Sequence, residues 1–256
     1  MTKPTLIITH DGQAHADEIF SCALIRHVFG DIPVKRTRDV SKDQLDDPNI
    51  WVLDQCGEYD TTKHNFDHHH NKDLEATNVL VLDYLRHKGL VSKDLEFMLR
   101  KQFLAISEHD RKGPTSFNGF QVGEMFRAFN NLENGFDTAV YVASQWLLGT
   151  EILLSNKKEA ETIFKDGTSI GGIVRVCSRF PVFWYGMGTE CILVAPDNDL
   201  WKVHSADTAN YPIIPTGKEV FLHANKFIAT YRTKEDAVVA ATVAAKITSL
   251  TQLAKE

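Results

Sequence analysis

Apolar positions in the first half of the chain follow two alternating spacings, one typical of strands and one typical of helices. Short apolar runs rich in β-branched residues predict buried strands over Thr5–Thr9 and Ile50–Asp54, and an alternating run predicts a third over Val34–Arg38. Apolar residues three or four positions apart predict helices over Asp17–Val28, Ser41–Asp46, Ala76–Lys88 and Ser92–Ser107. This alternation is typical of an α/β fold, with a mostly parallel sheet and helices on both faces.

The second half of the chain has a different pattern. Helices are predicted over Gly119–Leu132, Phe136–Phe164 and Lys234–Leu250. Strand-like runs separated by Pro, Gly, Asn and Asp are found over Gly171–Val176, Glu190–Ala195, Trp201–Ser205 and Glu219–Tyr231. We therefore predict an α/β domain over residues 1–135, a helical connector over residues 136–168 and a smaller α+β domain over residues 169–256.

Histidines and acids follow the predicted strands of the first half. His10 comes directly after the first strand, and Asp54 ends another. Because parallel strands present their carboxyl ends at one edge of the sheet, where ligands bind, we expect both side chains at the same edge. Further side chains of the same types follow these strands at His15, Asp17, Asp67, His68 and His69.

Two clusters that each combine His with Asp after a strand favour a metal site, although any one of these histidines could be a solvated loop residue. Imidazoles and carboxylates without thiolates favour Mn²⁺, with Zn²⁺, Co²⁺ and Mg²⁺ as alternatives. The ligands are too many for one ion with an open position. We therefore predict two ions, roughly 3.5–4 Å apart, which clamp a phosphate and activate a water for attack on phosphorus.

The bulk composition narrows the range of partners. The net charge is −6 and no long basic block is present, which argues against a duplex-binding surface. No apolar run reaches the roughly 18–20 residues of a membrane span, and the polar start lacks a signal-peptide core, so we expect no membrane partner. The 4 cysteines are scattered without a CxxC pair, which predicts a reducing, cytoplasmic location and argues against a Cys-based zinc site.

The order of the candidate ligands resembles that of the DHH phosphoesterase superfamily. Within it, Thr9–Glu18 and Asn65–His69 are similar to the motifs of the Myg-type family, whose members are metal-dependent, exonuclease-like proteins. Phe221–Ala229 and Thr233–Ala237 are similar to the C-terminal region of the same family. The resemblance therefore spans nearly the whole chain, and it implies a DHH-like fold and a phosphoesterase activity.

The resemblance also implies roles for individual residues. One ion would be held by His10, His15, Asp17 and Asp54, and Asp54 would bridge to a second ion that Asp67 and Asp110 complete. His68 would orient the nucleophile or contact the phosphate, so the implied catalytic residues are Asp54, Asp67 and His68. The implied substrate-binding residues are His69, Arg111, His223, Asn225 and Lys226.

Four places depart from the family pattern. One is Asp54-Gln55-Cys56-Gly57, where the family prefers small residues after the acid; Cys56 could be a buried packing residue or a redox-sensitive neighbour of the site. His15 stands where many superfamily members carry an acid, which shifts the site toward nitrogen ligands. His70 stands where a glutamine is more usual, and its role is open. Arg111-Lys112-Gly113 follows Asp110 in place of Asn-Gly, which places two cations either at a phosphate site or in solvent.

The leading functional prediction is a metal-dependent exonuclease that acts on short RNA or DNA. A second hypothesis keeps the site and takes a dinucleotide, a cyclic dinucleotide or a nucleoside bisphosphate; the acidic chain favours this smaller substrate. A third is a regulatory protein that binds metal or nucleotide without turnover. The long Phe136–Phe164 stretch leaves a homodimer open.

Overall fold

The fold is described from a computed structural model of the chain, which covers residues 2–113 and 122–247. The chain packs as two compact units that divide between Ile152 and Leu153. The division lies inside one long helix, Gly135–Lys165. The boundaries predicted at residues 135 and 168 stay a prediction, and the two units are described separately.

The first unit contains a five-stranded mixed sheet. Its strands are β1 (Leu6–Thr9), β2 (Val34–Arg36), β3 (Ile50–Leu53), β4 (Tyr59–Asp60) and β5 (Asn65–Phe66). They lie in the order β2-β1-β3-β5-β4; β1, β2, β3 and β5 are parallel, and only the edge strand β4 is antiparallel. The α/β class and the mostly parallel sheet are confirmed for this unit.

Helices follow these strands. They are α1 (Ala16–Phe29), α2 (Lys42–Asp46), α3 (Thr77–His87), α4 (Lys93–Lys112), α5 (Val122–Ala128) and α6 (Gly135–Lys165), with a 3₁₀ turn at Phe129–Asn131. The predicted helices agree with these bounds to within a few residues, except at the end of α4. The first residues of the helix predicted over Gly119–Leu132 lie outside the described part of the chain.

The core of the first unit forms because β1 and β3 are apolar on both faces. Ile7, Ile8, Val52 and Leu53 are fully buried, as expected for strands inside a parallel sheet. Trp51 is also fully buried; it stacks on His64 at a 4.7 Å centroid distance and meets the Tyr84 ring edge-on at 5.6 Å. This aromatic group connects β3 to α3.

Two local predictions for the first unit were wrong. The composition of Gly57–Asp60 predicts a turn, but Tyr59 and Asp60 pair with Phe66 and Asn65 as an edge strand. The helix predicted to end at Ser107 continues to Lys112. Apolar periodicity stops at Ile106, but the last turn carries His109, Arg111 and Lys112, and cations at a helix C-terminus are favourable. Asp110 and Arg111 therefore lie within α4 and not after it.

The described part of the second unit contains a six-stranded sheet, the C-terminal part of α6 and one further helix. Its strands are β6 (Thr168–Ile170), β7 (Val174–Val176), β8 (Ile192–Asp197), β9 (Leu200–Ser205), β10 (Glu219–Leu222) and β11 (Ile228–Tyr231), followed by α7 (Lys234–Ala244). The order is β10-β11-β9-β8-β7-β6, and every pair except β7–β8 is antiparallel. Val203, Ala229 and Tyr231 pack with Ala237 and Ala241 of α7 in one buried cluster.

Two stretches predicted as single strands in this unit are each interrupted by a turn. The run over Gly171–Val176 contains a turn, because Gly171 and Gly172 have φ of +60° and +66°. Glu219–Tyr231 is a hairpin whose turn includes Lys226 at φ +57°. The helix predicted over Lys234–Leu250 ends at Ala244, and residues 248–250 lie outside the described part of the chain.

Within residues 2–113 and 122–247, no helix has both the length and the apolar character that a membrane crossing requires. The cysteines Cys22, Cys56, Cys177 and Cys191 are free thiols. The cytoplasmic location and the homodimer stay predictions.

Ser107 connects α4 to the start of α3, and its replacement tests this connection. Its buried hydroxyl accepts a hydrogen bond from the Ala76 N–H at 2.7 Å and donates one to Glu75 Oε2 at 2.6 Å. Ser107→Ala leaves the buried Ala76 N–H without an acceptor. We expect it to lower the free energy of unfolding in urea by about 1–3 kcal/mol.

The matched control is Ser144→Ala in α6, whose hydroxyl donates only to the Val140 carbonyl of its own helix. We expect a change of less than about 0.5 kcal/mol there. Equal losses of stability in the two variants would contradict the role assigned to Ser107.

Candidate metal centre

The polar side chains predicted to share one edge of the sheet do lie together there. His10 follows β1, Asp54 follows β3, and Asp67 and His68 follow β5. These three strands are parallel neighbours, so their carboxyl ends bring the four residues to the same place. Asp110 reaches the same edge from the last turn of α4.

Potential ligand atoms converge in three overlapping groups. In each group, one donor atom from every residue lies within 4.8 Å of the others. The groups are His10, His15, Glu18 and Asp54; Asp54, His68 and His69; and His15, Asp17 and Asp110. Asp54 belongs to two of them and His15 to two, so the groups form one continuous site.

Asp54 and His68 occupy the centre of this site. Asp54 Oδ2 lies 3.3 Å from His10 Nε2, and Asp54 Oδ1 lies 3.4 Å from His68 Nε2. His68 Nε2 is also 3.2 Å from Asp110 Oδ2. Asp54 has φ of +56°, a conformation that non-glycine residues seldom adopt and that clusters at functional sites.

Several polar atoms of this site are buried without a hydrogen-bond partner. They include both carboxylate oxygens of Asp17, Glu18 Oε2, His10 Nδ1 and His68 Nε2. Asp17 and Glu18 are fully buried, and Asp54 is 3% exposed. Uncompensated buried carboxylates are costly, and the usual compensation is a cation or a metal ion. The donor set therefore fits divalent metal ions of the kind that accept both imidazole and carboxylate.

The site shifts the pKa values of its members when no cation is present. Asp54 and Glu18 raise the pKa of His10 to about 9. Burial lowers the pKa of His68, but Asp110 and Asp54 outweigh it and raise that pKa to about 9. Burial, with Asp54 and Asp110, raises the pKa of Asp17 well above its ordinary value. Proton binding by His10, His68 and Asp17 therefore neutralises part of the negative charge of the buried carboxylates.

Glu18 is a member of the site that the sequence analysis left without a role. Its Oε1 accepts a hydrogen bond from the His15 N–H at 2.8 Å and lies 3.3 Å from His10 Nε2. The signal was present in the sequence, since Glu18 is three residues after His15, the N-cap of α1. An acid at that position commonly bonds back to the N-cap backbone.

Asp67, predicted as a metal ligand, lines the cavity described below and accepts hydrogen bonds from two residues, and its role as a ligand stays a prediction. Its Oδ1 accepts hydrogen bonds from His69 N at 3.0 Å and His69 Nδ1 at 2.7 Å, and its Oδ2 accepts one from Gly57 N at 2.5 Å. Both oxygens therefore accept hydrogen bonds from the protein. His68 and His69 both lie near Asp54, and His68 also contacts Asp110.

Arg111 makes contacts within the protein, and its predicted role in substrate binding stays a prediction. It donates to the Leu74 carbonyl at 3.0 Å and to Glu75 Oε2 at 2.7 Å, which ties α4 to the loop after His70. It does not line the cavity described below. His70 itself is exposed, and its role stays open.

Two side chains outside the site hold the loop that carries His10 and His15. Arg36 donates to the His10 carbonyl at 3.1 Å and to the Gly12 carbonyl at 2.7 Å. Asn130 pairs with both backbone groups of Ala14, accepting from its N–H at 2.8 Å and donating to its carbonyl at 2.9 Å. These bonds fix the loop backbone, so the two imidazoles are positioned before any ligand binds.

An open cavity of about 450 Å³ gives access to the site. It is lined by His10, His15, Arg38, Asp54, Gln55, Cys56, Asp67 and His69. This volume lies within the range of small-molecule sites. Cys56 is exposed rather than packed in the core.

The predicted substrate-binding residues of the second unit form the turn between β10 and β11. Asn225 N donates to His223 Nδ1 at 3.1 Å, and the His223 ring lies 4.4 Å from that of Phe227. Asn225 and Lys226 are exposed. Their role in substrate binding stays a prediction.

The Asn130 contact predicts a loss of metal affinity on substitution. Asn130→Ala removes both bonds to Ala14 while leaving every candidate ligand in place. We expect the dissociation constant for Mn²⁺, measured by isothermal titration calorimetry, to rise by about 10-fold or more. Asn131→Ala is the matched control, because the Asn131 amide donates only to the Ala128 carbonyl of its own turn. An unchanged constant in Asn130→Ala would show that the loop needs no external support.

Asp17 offers a test of the metal site that needs no activity assay. In chelator, burial, Asp54 and Asp110 raise the pKa of Asp17 and make its ionised form unfavourable in the folded state. Asp17→Asn does not titrate, so we expect it to raise the free energy of unfolding near pH 7 by about 1–3 kcal/mol. In excess Mn²⁺ the wild type should gain roughly 2–4 kcal/mol by mass action, and the variant much less. Urea unfolding with and without metal measures both effects.

The control for this test is Asp73→Asn, which makes the same change of charge at an exposed position. We expect it to keep the wild-type response to Mn²⁺. If Asp17→Asn kept that response as well, Asp17 would not be a ligand.

Comparison with known proteins places these observations in a family. Residues 6–109 match the model of the MYG1 exonuclease family, described as an uncharacterised protein family, UPF0160. This segment contains every member of the three ligand groups except Asp110.

Curated relatives match over longer stretches. A MYG1 protein of Chlamydia muridarum is 32% identical over 222 residues, which covers 78% of this chain and 75% of that protein. The human MYG1 exonuclease is 33% identical over 156 residues, or 58% of this chain and 39% of that protein. A MYG1 protein of Chlamydia trachomatis is 32% identical over 144 residues, covering 49% of its length. The matches thus span about half or less of two of these three relatives.

A solved structure, a pGpG-specific phosphodiesterase from Vibrio cholerae, aligns with 94% of this chain and 98% of its own at 12% identity. Its TM-score of 0.35 is too low to support an argument about this chain. The match to the Chlamydia muridarum protein extends over three quarters of both chains, and it shows that the chain belongs to the MYG1 family.

Proposed function

We propose that this protein is a divalent-metal-dependent phosphodiester hydrolase of the DHH phosphoesterase type, which shortens short nucleic acids from one end. The observation that carries this proposal is the group of buried, unpartnered carboxylates and imidazoles at an open cavity on the carboxyl edge of a parallel sheet. Such sheets bind ligands at this edge. A site rich in negative charge can accept a phosphate only when cations are present to neutralise it.

The geometry supports a division of the ligands into two overlapping sets. One set is His10, His15 and Asp54; the other is Asp17, Asp54, His68 and Asp110. Asp54 would belong to both, as its contacts with His10 and His68 support. Mn²⁺ suits this mixture of donors best, with Mg²⁺, Co²⁺ and Zn²⁺ as alternatives. Ions in such a site neutralise the phosphate and lower the pKa of bound water.

His69 is the residue we assign to proton transfer and substrate contact. It is exposed at the cavity, and the carboxylate of Asp67 accepts a hydrogen bond from its Nδ1. A carboxylate bonded to one ring nitrogen fixes the tautomer and orientation of the ring, so Nε2 remains available to the substrate. Asp67 thus acts by positioning His69, and in this proposal His68 replaces Asp67 as a metal ligand.

The choice of nucleic acid as substrate rests on the family. The human relative is named an exonuclease, and we extend that activity to this chain as part of the proposal. The cavity volume of about 450 Å³ favours a second candidate, hydrolysis of a dinucleotide or a comparable small nucleotide. In the second unit, Asn225 and Lys226 are exposed donors that a substrate phosphate could contact.

The experiment that tests the proposal measures turnover of 5′- and 3′-labelled RNA and DNA oligomers, from two to about twenty nucleotides long, with Mn²⁺. We expect stepwise shortening that chelator abolishes and added Mn²⁺ restores. His68→Ala should lower the rate by about 100-fold or more, because it removes the proposed metal ligand that lies between Asp54 and Asp110. The end that shortens first gives the polarity of the reaction.

His70→Ala is the matched control, since His70 is exposed and belongs to none of the ligand groups. It should keep the wild-type rate. Cleavage of dinucleotides alone would establish the second candidate. No turnover of any substrate by protein that binds Mn²⁺ would overturn the proposal and leave a regulatory binding protein.

A further inference from the structure

Arg38 lies at the mouth of the cavity and has no role in the site as described so far. It follows β2 by two residues and is one of the side chains that line the cavity. Its side chain is 75% exposed, and its Nε lies 3.2 Å from Asp11 Oδ1. Asp11 comes directly after His10, so this ion pair places the guanidinium beside the loop that carries the first candidate ligand.

Gly12 makes this position accessible to the guanidinium. A Cβ at Gly12 would lie 2.9 Å from Arg38 Nη2 and 3.5 Å from His10 Nδ1. Arg38 and the His10 ring therefore approach the same small space above Gly12. Any larger residue at position 12 would push the guanidinium away from the ring.

The His10 ring separates Arg38 from the ligand cluster. His10 Nε2 faces Asp54 and Glu18 at 3.3 Å, whereas Nδ1 is on the side of Gly12 and Arg38. A phosphate held at the cluster would lie on one side of the ring and the guanidinium on the other. Arg38 is thus placed for a different phosphate from the one that is cut.

Arg38 is also the permanent positive charge of the cavity. Among the described residues that line it, Arg38 is the only Lys or Arg. The nearby Arg36 is occupied, since it bonds the His10 and Gly12 carbonyls and lies over the Phe136 ring at 4.5 Å. The Arg38–Asp11 ion pair is exposed to solvent and is therefore weak. A phosphate can accept two hydrogen bonds from the guanidinium and carries more negative charge than the Asp11 carboxylate, so it can displace Asp11.

We propose that Arg38 binds a second phosphate of the substrate, next to the phosphate that is hydrolysed. This inference rests on the proposed function and specifies its substrate class. The substrate is a nucleotide chain with a phosphate on both sides of a nucleoside, such as a terminally phosphorylated dinucleotide or a longer strand. A dinucleoside monophosphate, which has only the phosphate to be cut, lacks this contact.

The test compares three dinucleotide probes that differ only in their terminal phosphate: ApA, pApA and ApAp. The kcat/KM of each is measured with Mn²⁺ for the wild type, Arg38→Ala, Arg38→Lys and Lys35→Ala. Lys35→Ala is the matched control, because Lys35 is an exposed cation on β2 that does not line the cavity. It removes the same charge from the protein at a different place.

We expect the wild type to prefer pApA or ApAp over ApA by roughly 10-fold to 100-fold, the range for a hydrogen-bonded charge pair. The preferred probe shows whether the second phosphate lies on the 5′ or the 3′ side. Arg38→Ala should reduce the preference to about 2-fold, Arg38→Lys should keep part of it because lysine supplies a point charge, and Lys35→Ala should keep all of it. Equal use of the three probes by the wild type, or a preference that survives in Arg38→Ala, would overturn the inference.

Binding without turnover gives a readout that does not depend on the reaction. The dissociation constant of fluorescently labelled pApA is measured by anisotropy in His68→Ala and in the double variant with Arg38→Ala, over a range of salt concentrations. We expect Arg38→Ala to weaken binding about 10-fold and to lower the slope of log K against log salt by about 0.7, as for one lost phosphate contact.

The two arms also separate failure of the inference from failure of the proposed function. If the wild type hydrolyses neither these probes nor the longer oligomers, the proposed activity fails. A 10-fold tighter binding of pApA than of ApA that is lost in Arg38→Ala would still support the phosphate site, whereas equal binding of the two probes would overturn it.

Discussion

The first unit is built around buried negative charge. Asp17 and Glu18 are fully buried at the start of α1, and Asp54 is nearly so at the end of β3. Charges in such places are unfavourable unless opposite charge compensates them. In the absence of metal, His10 and His68 compensate part of this charge by remaining protonated, as their raised pKa values indicate. Divalent cations at the proposed site would complete this compensation, and metal binding would then be coupled to stability.

The scaffold supports this charge by fixing backbone rather than side chains. Arg36 and Asn130 hold the loop after β1 through its carbonyls and one N–H. On the other side of the site, Ser107 and Arg111 tie α4 to the loop that follows His70. Most of these contacts use main-chain groups of the loops rather than the ligand side chains, and several polar atoms of those side chains are buried without a hydrogen-bond partner.

The same charge distribution shapes what can enter the cavity. Carboxylates repel a phosphate until cations are bound, and the imidazoles beside them are committed to those carboxylates. Arg38 is outside that balance, since its partner Asp11 is solvent-exposed and can be displaced. A substrate with two phosphates would use both parts of the cavity. In the proposed function, these two parts of the cavity would let the protein select among nucleotides by their number of phosphates.

The amino-acid sequence by itself determined the α/β class of the first unit, the parallel strands and the edge at which the site lies. The reason is that strand periodicity is local, and the carboxyl ends of parallel strands are adjacent whatever the details of packing. His10, His15, Asp54 and the Asp67–His69 motif could therefore be placed together from their positions after strands.

Only the tertiary structure decided which of these side chains face one another. The family resemblance implies Asp67 as a ligand and His68 as its neighbour. In the structure, Gly57 N–H and His69 donate hydrogen bonds to Asp67, and His68 lies between Asp54 and Asp110. Asn130 contacts Ala14 across 116 positions of the chain, and no local pattern reports such a contact. The sequence shows the type and position of each residue. The role of a residue also depends on its burial and on which groups donate hydrogen bonds to it, and these follow only from the packing of the whole chain.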